Sequence, residues 1–297
     1  MSFSINSNVV NAVEPPIAEA QSWISGRTFP KNKPLLNLAQ AVPSYPPASS
    51  MSKHLADKLN LFETAQYTAI AGIPTLRNSL ASHMEHSHGG RINPENVLIS
   101  AGCNQAFCLT IMGVAKAGDE VILSVPYYFN HMMWLEMLGI KPVLIPFRKD
   151  LSSVPSPEDV ESLITEKTKA IVLVSPNNPT GAIYPSNILS QFFELAHTSK
   201  IALVLDETYK DFLTTMPPHT IFHSSCWEET FVQLYSFSKV FSLTGYRVGS
   251  IIGGQSVIDA ATKVMDTLAI CAPRIAQDAA LFGLNNLEKW VANKRTG

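Results

Sequence analysis

Residues 235–249 read Tyr-Ser-Phe-Ser-Lys-Val-Phe-Ser-Leu-Thr-Gly-Tyr-Arg-Val-Gly and set one lysine, Lys239, among small hydroxyl and large apolar residues, with Arg247 close behind. Such neighbours favour burial. Burial disfavours the ammonium form and lowers its pKa, which turns a lysine into an imine-forming nucleophile. The hydroxyls of Ser236 and Ser238 and the guanidinium of Arg247 suit a dianionic phosphate nearby. An imine-forming lysine beside a phosphate cradle suggests pyridoxal 5'-phosphate.

Other stretches bear on the same chemistry, each with a plainer reading beside it. In Ser100-Ala101-Gly102-Cys103-Asn104, a turn of small residues opens a helix and aims backbone N–H groups at an anion, although a plain strand-to-helix turn looks the same. In Pro126-Tyr127-Tyr128-Phe129-Asn130-His131, an aromatic ring stacks on a flat ligand or simply packs on the next helix, and His131 reads as a satisfied, partly buried histidine rather than a base. The prolines and glycine of Ser175-Pro176-Asn177-Asn178-Pro179-Thr180-Gly181 make either a tight connection or a rigid mount for the Asn178 amide. Asp206, in Asp206-Glu207-Thr208-Tyr209, follows a buried strand and needs a cationic or hydrogen-bonded partner, for which a pyridinium nitrogen would serve; a helix cap is the alternative. All these residues fall at the ends of successive strands, where an open α/β sheet binds its ligands.

The elements that must position them are legible as short apolar runs alternating with amphipathic segments. Strands are predicted at 97–100, 120–125, 142–146, 169–174, 201–205, 231–235 and 248–252. Helices are predicted at 51–60, from Thr75 as cap through Leu76, Leu80 and Met84, at 104–116, 128–138, 156–165 and 186–198, and twice between Gln255 and Trp290 with a break at Ala272-Pro273. Near-continuous Val/Ile/Leu strands mean a sheet covered on both faces, a three-layer α/β/α architecture with a mostly parallel seven-stranded sheet. Residues 1–50 are proline-rich and read as an irregular arm or part of a smaller domain, with 51–297 forming the large cofactor-binding domain.

Composition narrows the class. The 297 residues are 46% hydrophobic and 15% charged, an ordinary globular balance. A formal net charge of −2 offers nucleic acid or an anionic membrane no electrostatic footing. No apolar run approaches the ~20 residues that span a bilayer. Residues 1–6 carry neither a basic flank nor an apolar stretch, so no export signal is expected. The four cysteines lack CxxC spacing, which fits reduced thiols in a cytoplasmic protein.

Five segments taken in order then resemble one family: Gly72-Ile73-Pro74-Thr75-Leu76-Arg77, Ala101-Gly102-Cys103-Asn104-Gln105-Ala106, Asn177-Asn178-Pro179-Thr180-Gly181, Asp206-Glu207-Thr208-Tyr209, and Ser236-Phe237-Ser238-Lys239 with Gly245-Tyr246-Arg247-Val248-Gly249. Their series is similar to the class I/II aminotransferases of fold type I. The resemblance implies amino transfer between an α-amino acid and a 2-oxo acid, with Lys239 holding pyridoxal 5'-phosphate as an internal aldimine and shuttling the proton at the substrate Cα. It implies that Asp206 pairs with the ring nitrogen, that Asn178 and Tyr209 bond the phenolic oxygen, that Tyr128 stacks on the ring and that His131 supports Asp206. Gly102, Cys103, Asn104, Ser236 and Arg247 would bind the phosphate, and Tyr67 would reach the phosphate of a neighbouring subunit in a homodimer. Ala41, beside Asn178 on the substrate side, stands where the family usually has glycine, and Cys103 departs from the family's small or hydroxyl residue. Family members continue into a C-terminal small domain whose arginine binds the substrate carboxylate. Neither Arg274 nor Arg295 matches that motif, so a truncated chain is expected.

Other readings leave weaker traces. A lyase of the same fold or a cofactor-binding but inactive member shares every motif. The pattern Ser236-x-x-Lys239 also occurs in exported β-lactam-binding enzymes, and a cofactor-sensing regulator would need a basic DNA-binding unit. His83, His86 and His88 hint at a metal but read better as a solvated helix end.

Overall fold

A computed structural model describes residues 3–148 and 153–296. Two short helices open the chain, α1 (Ser7–Asn11), capped by the Asn6 side chain, and α2 (Pro16–Ile24), started by a proline. The segment predicted as irregular is therefore partly helical. Proline in a first turn loses no hydrogen bond and presets φ, so it starts a helix as readily as it breaks one. Next come α3 (Ser49–Lys58) and α4 (Pro74–His88). The same effect displaces the expected cap of α4: Pro74 begins the helix, Ile73 holds the cap position without a side-chain bond, and Thr75 lies inside the first turn.

The α/β part follows as β1 (Val97–Ser100), α5 (Cys103–Val114), β2 (Glu120–Ser124), α6 (Phe129–Met137), β3 (Lys141–Ile145), α7 (Pro157–Glu161), β4 (Thr168–Val174), α8 (Ser186–Thr198), β5 (Ala202–Asp206), α9 (Trp227–Thr230), β6 (Phe231–Ser236), α10 (Phe237–Val240) and β7 (Gly249–Ile252). Three helices close it: α11 (Gln255–Ala269), α12 (Arg274–Asn286) and α13 (Glu288–Thr296). α7 is shorter than expected, and the segment predicted as one helix after Pro273 is two, separated at Leu287, a buried residue with non-helical backbone that caps the first.

The seven strands form one sheet in the order β1-β7-β6-β5-β4-β2-β3. β2 pairs in parallel with β3 and β4, and β5 with β4 and β6, whereas β7 runs antiparallel to both β1 and β6. Every residue of β1, β2, β6 and β7 is buried, which is why those strands read as unbroken rather than alternating apolar runs. Helix α5 packs on β1, β6, β7 and α11, while α8 and α9 pack against β5. Among the described residues no helix is long and apolar enough to cross a membrane.

Burial separates positions that support this core from positions that do not. Leu203 on the central strand β5 is fully buried, whereas Leu36 in the N-terminal segment is 80% exposed. Leu203→Ala is expected to lower unfolding stability by about 2–5 kcal/mol in urea titrations, and Leu36→Ala by no more than about 0.5 kcal/mol. Equal losses would contradict the placement of the core.

Candidate active site

Strand direction gathers the chemistry-bearing residues at one edge. β1 and β6 are both antiparallel to β7 and so run the same way, with β5, β4 and β2 following β6. β7 begins where the others end, and this brings Arg247, just ahead of Gly249, against the turn that follows β1. The approach is close. A side-chain carbon on Gly102 would stand 2.3 Å from Nη2 of Arg247, and one on Gly249 would stand 2.7 Å from the Cys103 amide nitrogen. Gly102 also has φ +89°, in the region that favours glycine. Its carbonyl end starts α5 without a side-chain cap, leaving first-turn N–H groups facing the same space.

That space is a cavity of about 350 Å³. Cys103 and Asn104 line it from α5, Tyr128 from the end of β2, Asn178 from the end of β4, and Asp206 and Tyr209 from the end of β5. Ser236, Ser238, Lys239 and Arg247 complete the wall, with Ala41 laid across from the N-terminal segment. Of the residues singled out in the sequence, Gly102 sits behind Arg247 rather than in the lining, and Tyr67 lies away from the cavity of its own chain, 76% exposed.

Several of the polar groups have partners. Asp206 is 5% exposed; its Oδ2 lies 3.5 Å from His131 Nε2, and its Oδ1 accepts the Thr208 N–H at 3.0 Å. Burial opposes ionisation, but His131 and Thr208 outweigh it and keep the carboxyl below its ordinary range. The cap-like contact and a hydrogen-bonding partner thus coexist at Asp206. His131 is fully rather than partly buried, with its ring stacked on Phe107 at 3.9 Å between centroids. Tyr128 stands edge-on to His131, and its hydroxyl donates to Asn104 Oδ1 at 3.3 Å. Burial, with Asp206 nearby, pushes the Tyr209 phenol up to about 12. The Cys103 thiol is pushed well above its usual value by burial and then by Asp206, so it stays protonated.

Lys239 is half-buried, and burial followed by the Arg247 charge lowers its ammonium pKa, as the sequence led us to expect. Its Nζ donates to the Ala41 carbonyl. Ser236 accepts the Ser238 N–H at 3.2 Å and caps α10, the short helix that carries Lys239. Arg247 has φ 58°, and its Nη1 donates to the Thr244 carbonyl at 3.0 Å. Asn177 staples the turn beneath Asn178: its Oδ1 accepts from the Thr180 N–H at 3.2 Å and the Thr180 hydroxyl at 2.9 Å, and its carbonyl accepts the Gly181 N–H at 2.7 Å.

Some lining residues were not foreseen. Thr208 carries a readable signal, since it stands two positions beyond Asp206 on the same strand end. Ile17 and Gln40 carry none, because only folding brings the N-terminal segment here. Of the histidine cluster, His86 is exposed as expected, but His88 is 1% exposed and bonded to Glu207, which corrects the reading of a solvated helix end: the last turn of α4 runs beneath the sheet. Arg274 and Arg295 lie outside the cavity, bonded to Asp278 and to the Asp211 carbonyl.

The family model for aminotransferase class I and II matches residues 33–296. The chain belongs to the class I and II aminotransferase family. It is 33% identical to the probable aspartate/prephenate aminotransferase of Thermus aquaticus over 76% of this chain and 59% of that one. It is 28% identical to a bifunctional aspartate aminotransferase and glutamate/aspartate-prephenate aminotransferase of Petunia hybrida over 93% of this chain and 58% of that one, so it spans about three fifths of these relatives' length. Among solved structures, the aspartate aminotransferase of Thermus thermophilus with maleate superposes with a TM-score of 0.89 at 28% identity, covering 99% of this chain and 77% of that one.

The buried Asp206 carboxylate ties stability to pH. Its folded pKa is depressed, so below about pH 4 the unfolded chain binds a proton that the folded chain resists, and the stability present above that pH is lost as pH falls. Urea midpoints should therefore drop between pH 5 and 3 less steeply for Asp206→Asn than for the unaltered chain. Parallel curves would show that Asp206 is not held as an anion.

Proposed function

We propose that this chain holds pyridoxal 5'-phosphate on Lys239 and moves an amino group between an α-amino acid and a 2-oxo acid. The observation that carries this reading is the cavity itself: a half-buried lysine of lowered ammonium pKa shares it with a buried carboxylate and a guanidinium, each delivered by a different strand end. Its residues fit the cofactor's outline. Arg247, Ser236, Ser238 and the first amides of α5 suit a phosphate, and the approach of Arg247 to the Gly102 turn leaves a cradle that a side chain at residue 102 would fill. Asp206 suits a protonated ring nitrogen, Asn178 and Tyr209 a phenolic oxygen, and Tyr128 a ring face. The about 350 Å³ of space lies within the usual range for small-molecule sites.

When bound, the cofactor supplies an electron sink for the pair left as the substrate Cα–H bond breaks. The chain supplies the rest. Asp206, kept anionic by His131 and Thr208, holds a proton on the ring nitrogen. Lys239, released from the Ala41 carbonyl as the neutral amine, would carry the proton away from the substrate Cα toward the cofactor, the net shift that moving the amino group needs. The Ala41 carbonyl is an acceptor and suits a substrate amino group better than a carboxylate.

The remaining parts of the reading follow the family. Residues 1–50 act as an arm over the cavity and 51–297 as the large domain; Ala41 and Ile17 at the cavity support this. The exposure of Tyr67 suits a role in a partner's site, and hence a homodimer. The four free cysteines accord with a cytoplasmic location. A second reading, cofactor binding without turnover, is favoured by one observation: among the described residues the cations lining the cavity are Lys239 and Arg247, and both already have a use.

Treatment with pyridoxal 5'-phosphate followed by borohydride should leave a covalent adduct on Lys239 in peptide mapping; an adduct elsewhere overturns the assignment. Arg247→Ala should raise the Kd for pyridoxal 5'-phosphate about ten- to a hundred-fold while changing that for pyridoxal, which lacks the phosphate, less than about three-fold. Exchange of the α-hydrogen of added amino acids in heavy water separates the two readings. It proceeds in a working enzyme and not in a binding-only chain, and Asp206→Ala should abolish it.

A further inference from the structure

The carboxylate next to Asp206 takes no part in that chemistry. Glu207 is 1% exposed, and neighbouring residues at a strand end point to opposite faces, so it leaves the sheet on the side away from Asp206. Three nitrogens converge on its Oε2: His88 Nε2 at 3.1 Å, His219 Nε2 at 3.3 Å and the Gln233 side-chain amide. All three side chains are buried, and they come from the end of α4, the loop ahead of α9, and β6.

Two imidazoles and a carboxylate are also a donor set that a divalent cation accepts. Proton positions argue otherwise. His219 Nδ1 accepts the Ile221 N–H at 3.2 Å, which assigns the proton to Nε2, the atom facing Glu207. A metal would need that lone pair, and a ligating histidine donates from its other nitrogen rather than accepting there. His88 is less fixed: its Nδ1 lies 2.8 Å from the Ser87 hydroxyl and 3.3 Å from the Met84 carbonyl, and its Nε2 lies 3.1 Å from Glu207 Oε2 and 3.3 Å from the Gln233 amide nitrogen. One carboxylate oxygen thus collects the N–H groups of His219 and Gln233, with the His88 ring packed against it. Burial works against the Glu207 anion, but His219 and His88 overcome it and hold the group well below the ordinary carboxylate range.

The backbone carries this anchorage to Asp206. The Ser175 N–H donates to the Asp206 carbonyl at 3.0 Å, and the Glu207 N–H donates to the Leu234 carbonyl at 2.9 Å, so the main chain is clamped from both neighbouring strands. Rotation about the strand axis is the freedom that remains, and it would swing both carboxylates together. On its own face Asp206 has the His131 contact at 3.5 Å and its own short turn to resist this, whereas Glu207 meets side chains from three separate segments. We propose that Glu207, gripped by His88, His219 and Gln233, is a positioning residue that fixes the direction in which Asp206 points into the cavity. The importance of that direction rests on the amino-transfer reading; the grip itself does not.

The test therefore uses the full chain without cofactor. The imidazole 15N resonances of His131 report its contact with Asp206 from the face opposite Glu207. In Glu207→Gln and in His219→Ala they should move toward the values seen in Asp206→Asn, and His219→Gln, which restores an N–H donor, should bring them back. Variants that unfold at lower temperature but keep unaltered His131 resonances would reduce Glu207 to a purely structural role and overturn the proposal. Zinc titration decides the competing assignment: no stoichiometric binding is expected, and tight one-to-one binding lost in Glu207→Gln would overturn the hydrogen-bonded hub. If His131 responds as expected but borohydride fails to label Lys239, the amino-transfer reading fails and the positioning role stands.

Discussion

Two carboxylates leave the end of one buried strand in opposite directions, and much of the surrounding structure exists to keep both of them charged. An unpartnered buried carboxylate is too costly to remain ionised, and removing one partner from a buried pair costs about 3–5 kcal/mol. Asp206 meets His131 and its own turn on one face, and Glu207 meets His88, His219 and Gln233 on the other. This demand explains why α4 ends beneath the sheet with a buried histidine and why His131 packs flat on Phe107 instead of facing water. Satisfying both carboxylates turns the end of β5 into a rigid mount from which Asp206 and Tyr209 face the cavity.

A second constraint is the reversal of β7. In a wholly parallel sheet Arg247 would enter at the far edge, some four residues of strand away from the turn it contacts. Running antiparallel, β7 delivers it beside Gly102, and the two glycines at positions 102 and 249 let backbone meet backbone there. The same edge is closed from above by the N-terminal segment. Ala41 accepts from Lys239, and Ser242 donates to the Tyr45 carbonyl, so contacts distant in sequence finish a cavity that the sheet alone leaves open.

Much of the fold was readable because buried parallel strands must be apolar on both faces, a pattern few other elements share. All seven strands lie within a residue or two of their expected bounds. The errors have physical causes. Prolines at 16 and 74 start helices, a role that composition alone does not separate from breaking them. Leu287 splits an apolar periodic stretch without any breaker residue. His88 looked solvated because glycines and polar residues surround it in sequence, although its partners, Glu207 and His219, are distant there.

For the site, the chain alone determined the residue types and their places at strand ends: Lys239 among residues that favour burial, Asn178 on a rigid turn, Asp206 directly after an apolar strand. These are local matters, set by what each short segment buries and how it turns. Tertiary structure decided what no single segment contains. The direction of β7 brings Arg247 to Gly102, folding lays Ala41 over Lys239, and packing on two faces gives Asp206 and Glu207 separate sets of partners. Lys239 is reactive in prospect because of its neighbours in sequence, but the burial and charge that lower its pKa arise from segments brought together in space.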